Sequence, residues 1–250
     1  MMEEYPVLDG AQPIYFEGNE VGILVSHGFT GTTQSVRPLV EAYGKEGYSV
    51  ACPRLKGHGT APEDMETTTA QDWMDSVEEA YAWLKERCSK VFVVGLSMGG
   101  TLALHLAAKY EDIAGVIPIN AAIDIPSMEN IIETTDDRYI AAIGSDIKKE
   151  GVTELAYDKT PVASIEHLIL MMTRVHDELA KIHCPILIFV SEEDHIVPPE
   201  NSEMIFNTVL SEHKELIHLE NSYHVATLDI DLDIITERSL EFFVMYSNTK

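Results

Sequence analysis

A chain of 250 residues is long enough for one large α/β domain with an insertion or for two small domains, and 17 basic against 42 acidic side chains leave a formal charge of −25. That charge disfavours nucleic acid and anionic bilayers as partners and favours a neutral substrate. The opening Met1-Met2-Glu3-Glu4-Tyr5-Pro6 has neither a basic region nor an apolar core, and no apolar run is long enough to span a bilayer, so a cytoplasmic location without stable membrane insertion is expected.

Ile14-Tyr15-Phe16 reads as a short edge strand. Val21 to Val25 is a continuous apolar run, the mark of a strand buried on both faces, and it ends in Ser26-His27-Gly28-Phe29-Thr30-Gly31. A His-Gly-X turn at such a strand end aims the backbone N–H of its third residue, Phe29, at a bound carbonyl oxygen. Helix signals run from Ser35 to Lys45, and Tyr48 to Cys52 supplies the next strand. His58, in the loop Pro53 to Gly59, has no acidic or nucleophilic neighbour in sequence and reads as structural, bonded to backbone. From Thr69 to Lys85, Trp73, Val77, Ala80, Tyr81 and Leu84 recur at helical spacing as a core-facing stripe.

Val91-Phe92-Val93-Val94-Gly95-Leu96-Ser97-Met98-Gly99-Gly100 is a β-branched run that stops at a glycine and restarts as a helix through Lys109. The G-x-S-x-G spacing is that of a nucleophile elbow: a serine on a tight strand-to-helix turn is pushed above the sheet, and the flanking glycines allow close backbone approach. The helix dipole and the N–H of Met98 then face negative charge on the carbonyl oxygen, so Phe29 and Met98 form an expected oxyanion hole. A dinucleotide fingerprint is excluded, because G-x-G-x-x-G needs a glycine where Ser97 stands.

Gly115 to Asn120 and Ile186 to Val190 are further apolar runs. Between them, residues 121–181 are far longer than a crossover needs, and Ile131-Ile132, Ile140-Ala141-Ala142-Ile143 and Leu168 to Met172 read as helical pieces without clean strand signals. The expectation is a mostly parallel sheet flanked by helices (1–120 and 182–250) with a cap inserted at 121–181, whose Ile, Leu and Met side chains either line a pocket or pack on the body. Asp194 lies just past the strand ending at Val190, Pro198-Pro199-Glu200 opens a helix, Glu215 to Leu219 makes the last strand, and His224 follows it. Leu232 to Tyr246 forms the final helix. Cys52, Cys88 and Cys184 are an odd, scattered set without C-x-x-C spacing, so reduced thiols are expected and neither a metal nor a redox cofactor is indicated.

The order Ser97, Asp194, His224 is that of the α/β-hydrolase architecture, with each residue at the C-terminal end of a strand. His224 would act as general base on Ser97, with Asp194 fixing its tautomer. Glu192 and Glu193 read instead as a solvated turn, Asp229 as the start of the last helix, and His27, His105 and His195 are set aside by position.

His27-Gly28-Phe29-Thr30-Gly31, Lys56-Gly57-His58-Gly59, Gly95 to Gly100, Ser191-Glu192-Glu193-Asp194-His195 and Ser222 to Asp229 together closely resemble the bacterial monoacylglycerol lipases over nearly the whole chain. A related group of small bacterial carboxylesterases shares the triad and the His27 to Gly31 loop, with a less similar cap. The resemblance implies hydrolysis of 1(3)- and 2-monoacylglycerols to fatty acid and glycerol, little action on di- or triacylglycerols, and no cofactor. It also implies that Glu154 bonds the glycerol head group; a carboxylate accepts from hydroxyls, although a salt bridge with Lys148, Lys149 or Lys159 is the alternative. Transient contact with a lipid surface is expected, and monomer and homodimer stay open. A general short- or medium-chain carboxylesterase and a non-catalytic ligand-binding hydrolase fold are the rival readings.

Overall fold

The computed structural model describes residues 5–142 and 144–247; Met1 to Glu4, where the reading of the N-terminus began, and Ile143 lie outside them. Strands β1 (Ile14–Phe16), β2 (Val21–Ser26), β3 (Ser49–Cys52), β4 (Lys90–Leu96) and β5 (Ile113–Ile119) precede a long insert. Within it lie α5 (Pro126–Thr134), the short strands β6 (Tyr139–Ala141) and β7 (Lys159–Pro161), and α6 (Val162–Glu178); β8 (Ile186–Ser191) and β9 (Lys214–Leu219) follow. Helices α1 (Arg37–Lys45), α2 (Pro62–Met65), α3 (Ala70–Lys85) and α4 (Met98–Lys109) punctuate the first half, and α7 (Glu200–Thr208) and α8 (Leu232–Ser247) the second.

Among the described residues the main sheet has seven strands in the order β1-β3-β2-β4-β5-β8-β9, antiparallel only at β1. This is the α/β-hydrolase fold, a mostly parallel sheet between two helical layers. The central strands are apolar without alternation because both faces are covered, and successive side chains feed opposite layers. Ile23, Val25, Phe92 and Val94 join α1 and α8, whereas Leu24, Val91 and Val93 join α3, α4 and α6. Trp73 and Phe92 are fully buried, and truncating either to Ala costs about 3–5 kcal/mol.

Most of the expected elements lie where the pattern placed them, within a few residues. Thr69 caps α3 by a capping box, its hydroxyl accepting from Asp72 N–H while the Asp72 carboxylate accepts from Thr69 N–H. One expectation is corrected: Ile140 and Ala141 are not helical but pair with Thr160 and Lys159 in the β6/β7 ribbon. Four apolar residues cannot nucleate a helix by themselves, and the strand partner lies too far along the chain for a local pattern to reveal. Leu168 to Met172 fall in α6 as expected.

β2 leads outward to β3 and β4 leads outward to β5, so β2 and β4 flank the point where the winding reverses. Crevices open at the carboxyl ends of such strands. The register Ser26↔Gly95, Leu96↔Ile119 and Ser191↔Leu219 brings the loops after β2, β4, β5, β8 and β9 to one edge. No helix of the described residues is long and apolar enough to cross a membrane.

Candidate active site

Ser97 alone makes the turn from β4 to α4, at φ 56° and ψ −122°. That left-handed backbone costs about 1–3 kcal/mol and persists only because its surroundings enforce it. Ser97 N–H donates to Ile119 O at 2.9 Å, and Ser97 O accepts from Gly100 N–H at 2.8 Å. A methyl group on Gly95 would stand 2.0 Å from Gly99 O, and one on Gly99 2.2 Å from Ser26 O, so the x-S-x spacing is a steric demand of α4 crossing β2 and β4.

The loop after β2 closes over the serine. A methyl group on Gly28 would come within 3.2 Å of Ser97 Cβ. His27 is fully buried; its Nε2 accepts from Leu55 N–H at 3.2 Å, which leaves Nδ1–H to donate to Gly28 O at 3.0 Å. Burial and the Arg54 charge push His27 down to about 4, so the ring is a neutral strut. His58 meets the expectation of a structural residue, with Nδ1–H donating to Lys56 O at 3.1 Å and the ring edge-on to His27, Phe29 and Trp73. Burial, then the neighbouring His27, pushes it down to about 3.

Asp194 and His224 meet across the β8 and β9 loops. His224 Nδ1–H donates to Asp194 Oδ2 at 2.7 Å, while Asp194 Oδ1 accepts from Ile196 and Val197 N–H, each at 2.8 Å. The two side chains are 8% and 2% exposed. Burial alone would lower the His224 pKa, but the Asp194 carboxylate outweighs it, with Glu154 and Asp146 adding, and the net shift is upward. The rival acids are engaged elsewhere: Glu193 pairs with Lys148 at 3.0 Å and Glu192 with His218 at 3.5 Å.

Of three residues that hold the His224 loop, Asn120 and Asp146 carried no signal in the sequence and Asp229 only its place in a motif. Asn120, at φ 45°, donates Nδ2–H to His224 O at 2.8 Å and to Ser191 Oγ at 2.9 Å, tying the ends of β5 and β8 to that loop. Asp146, in the insert, accepts from His224 N–H at 3.1 Å and pairs with the His195 ring at 2.8 Å. Asp229 is buried just before α8 and accepts four backbone N–H groups, from Lys148, Lys149, Tyr223 and Ile230, at 2.7 to 2.9 Å. It joins insert to loop, a larger role than the helix start expected of it. Its place in the Ser222 to Asp229 motif was the available clue.

Glu154 does not form the alternative salt bridge with Lys148, Lys149 or Lys159; Lys148 pairs with Glu193. Lys159 is taken by Glu63 at 2.5 Å, and Glu154 Oε1 instead accepts from Ser35 Oγ at 2.6 Å. Burial pushes its carboxyl up, only partly offset by Ser35 and the nearby His224. Phe29, Ser97, Met98, Glu154 and His224 line one cavity. Ile125, Met128 and Leu168 from the insert form apolar wall, whereas Met171 and Met172 are buried in the core and Leu170 is exposed. Met98 occupies the first position of α4, where a backbone N–H has no acceptor within the helix. A serine hydroxyl, an imidazole oriented by a carboxylate, and the backbone of Phe29 and Met98 around one cavity are the parts that acyl transfer uses. Among the described residues no cluster of His, Cys, Asp and Glu could hold a metal ion.

Residues 19–143 and 134–231 match the hydrolase family described as serine aminopeptidase, S33. The chain is 56% identical over 249 residues to the thermostable monoacylglycerol lipase of Bacillus sp. (strain H-257), covering 99% of this chain and all of that one. It is 30% identical to a carboxylesterase of Bacillus subtilis (strain 168), over 92% and 95% of the two chains. A solved structure of the metagenome-derived lipolytic enzymes LipS and LipT superimposes with a TM-score of 0.94 at 50% identity, over 96% of this chain and 100% of that one. The monoglyceride lipase of Saccharomyces cerevisiae, at 19% identity and a TM-score of 0.78 over 99% and 95% of the chains, shares the fold. By full-length likeness and by architecture, the chain belongs to this serine hydrolase family of α/β-hydrolases, alongside the bacillar monoacylglycerol lipase.

Proposed function

We infer that the protein hydrolyses the ester bond of monoacylglycerols, releasing fatty acid and glycerol through a Ser97 acyl-enzyme. The observation that carries this reading is the gathering of Ser97, the Asp194-bound His224 ring and Glu154 around one cavity walled by Ile125, Met128 and Leu168. His224 takes the Ser97 proton as the hydroxyl attacks, Asp194 steadies the imidazolium that forms, and the amides of Phe29 and Met98 hold the oxyanion. His224 returns the proton to glycerol as the leaving alcohol, then activates water to release the acid.

Glu154 supplies selectivity in this scheme. With Oε1 occupied by Ser35, its other oxygen is the acceptor for a glycerol hydroxyl, and the acyl chain lies along Ile125, Met128 and Leu168. A second acyl chain replaces a hydroxyl and needs volume that the insert, acting as a cap over 121–181, does not leave. The acidic surface and free thiols suit a cytoplasmic enzyme that meets its lipid by brief surface contact.

Turnover of 1-monolauroylglycerol, dilauroylglycerol and methyl laurate by the purified protein tests the reading. Preference for the monoglyceride over both, abolished for all three in Ser97→Ala, is the expected result. Equal rates on monoglyceride and methyl ester make it a general carboxylesterase. No hydrolysis and no labelling by a fluorophosphonate reduce it to a ligand-binding protein.

A further inference from the structure

Gln34 lies in the short 3₁₀ turn Thr33–Val36, where the Thr32 hydroxyl accepts its backbone N–H at 3.3 Å. Its side chain leaves the core and grips the insert at two points. Nε2–H donates to Thr153 O at 3.2 Å, and Oε1 accepts from Leu155 N–H at 2.8 Å. A primary amide carries a donor and an acceptor side by side, so a two-point contact fixes both the place and the rotation of the backbone it grips. The residue between those two points is Glu154.

The neighbouring contacts act on the same residue. Ser35, next to Gln34, donates its hydroxyl to Glu154 Oε1 at 2.6 Å, and Ser145 Oγ accepts Glu154 N–H at 2.9 Å. Thr30, one residue past Phe29, accepts Tyr157 N–H at 3.2 Å. Residues 153–157 therefore lie directly against the loop that carries Phe29, and Gln34 is the fork that sets their register.

We propose that Gln34 is a positioning residue for head-group recognition: its side-chain amide holds the Thr153–Leu155 backbone so that the Glu154 carboxylate faces the alcohol portion of a hydroxyl-bearing ester. The proposal rests on the role given to Glu154 above. A shift of about 1 Å in an oriented acceptor is enough to lose most of its discrimination, so a residue that touches no substrate controls which alcohol the site prefers. A fork that only fastened the insert would affect every ester alike.

The test measures kcat and KM for 1-monolauroylglycerol and for methyl laurate, which has the same acyl chain and no hydroxyl. The proteins are wild type, Gln34→Met, Gln34→Glu, Glu154→Gln and the double variant Gln34→Met with Glu154→Gln. In Gln34→Met, which keeps the length of the side chain and removes the amide, the ratio of kcat/KM values is expected to fall about five- to tenfold, mainly through KM for the monoglyceride. Gln34→Glu keeps the acceptor for Leu155 N–H and should fall between that and wild type; should Gln34→Met fail to fold, this intermediate ratio decides alone. In the double variant the ratio should be no lower than in Glu154→Gln, because one action cannot be removed twice. Equal loss on both esters, or an unchanged ratio, in the Gln34 variants overturns the proposal. An unchanged ratio in Glu154→Gln overturns the head-group reading itself, a separate result.

Discussion

His224 Nδ1–H donates to Asp194 Oδ2 at 2.7 Å while the other Asp194 oxygen is held by the amides of Ile196 and Val197. The carboxylate therefore cannot turn, and neither can the imidazole it orients. The ring is left with Nε2 as its free acceptor, the form a general base requires.

That rigidity makes Asp194→Asn a sharp experiment. The two amides at Oδ1 demand an oxygen there, so the introduced NH₂ must face Nδ1 and act as a donor. Nδ1 then accepts, the proton moves to Nε2, and the base is lost. Turnover should drop about 10⁴-fold with the fold intact, as circular dichroism and the thermal midpoint would show. A loss below tenfold would remove Asp194 from the scheme.

Ser97→Ala should lower turnover of 1-monolauroylglycerol by at least about 10⁴-fold and abolish stoichiometric fluorophosphonate labelling. Mass spectrometry of the labelled wild type should place the adduct on the peptide containing Ser97.

The His224 pKa is raised chiefly by Asp194, with Glu154 adding to it, despite burial that opposes both. In the proposed mechanism activity requires the neutral ring, so kcat/KM should rise with pH through a midpoint above the ordinary histidine value of about 6.5. Glu154→Gln removes a negative charge near the imidazolium and should move that midpoint to lower pH. A pH profile of methyl laurate hydrolysis, which does not need the head-group acceptor, reads the shift. Movement to higher pH would contradict the arrangement.

Burial holds His27 and His58 neutral, at about 4 and about 3, with the Arg54 cation adding to both. In the unfolded chain both take up a proton near pH 6.5, so the unfolded state binds more protons below that value and stability falls as the pH drops. Each group contributes about 1.4 kcal/mol per pH unit between 6.5 and its folded value. Thermal midpoints should decline from pH 6.5 to 5, and His58→Gln should roughly halve the part of the slope that these two groups cause. An unchanged slope in that variant would place the acid sensitivity elsewhere.

Gly95→Ala would force a methyl group to 2.0 Å from Gly99 O, a backbone atom that cannot swing aside. The expected cost is about 3 kcal/mol or more, seen as a fall of roughly 6 to 12 °C in thermal midpoint together with loss of activity. Gly47 has open space around its Cβ position at φ 87°, so Gly47→Ala carries only the backbone penalty, about 1 kcal/mol. Similar midpoints for the two variants would show that crowding at the elbow is relieved by movement.

Much of the molecule was legible one residue at a time. The apolar runs gave the central strands because burial on both faces needs no partner to be identified, and the glycines around Ser97 announced a turn whose geometry is local. Chain order then set Asp194 and His224 at strand ends. The tertiary structure alone decided what joins these places: Asn120 and Asp146 steadying the His224 loop, Ser35 rather than a lysine on Glu154, and Gln34 gripping the backbone on either side of it. The β6/β7 ribbon was hidden for the same reason. Periodicity and turn chemistry are properties of neighbours along the chain, whereas these hydrogen bonds join groups tens of residues apart that meet only once the sheet has brought its loops to one edge.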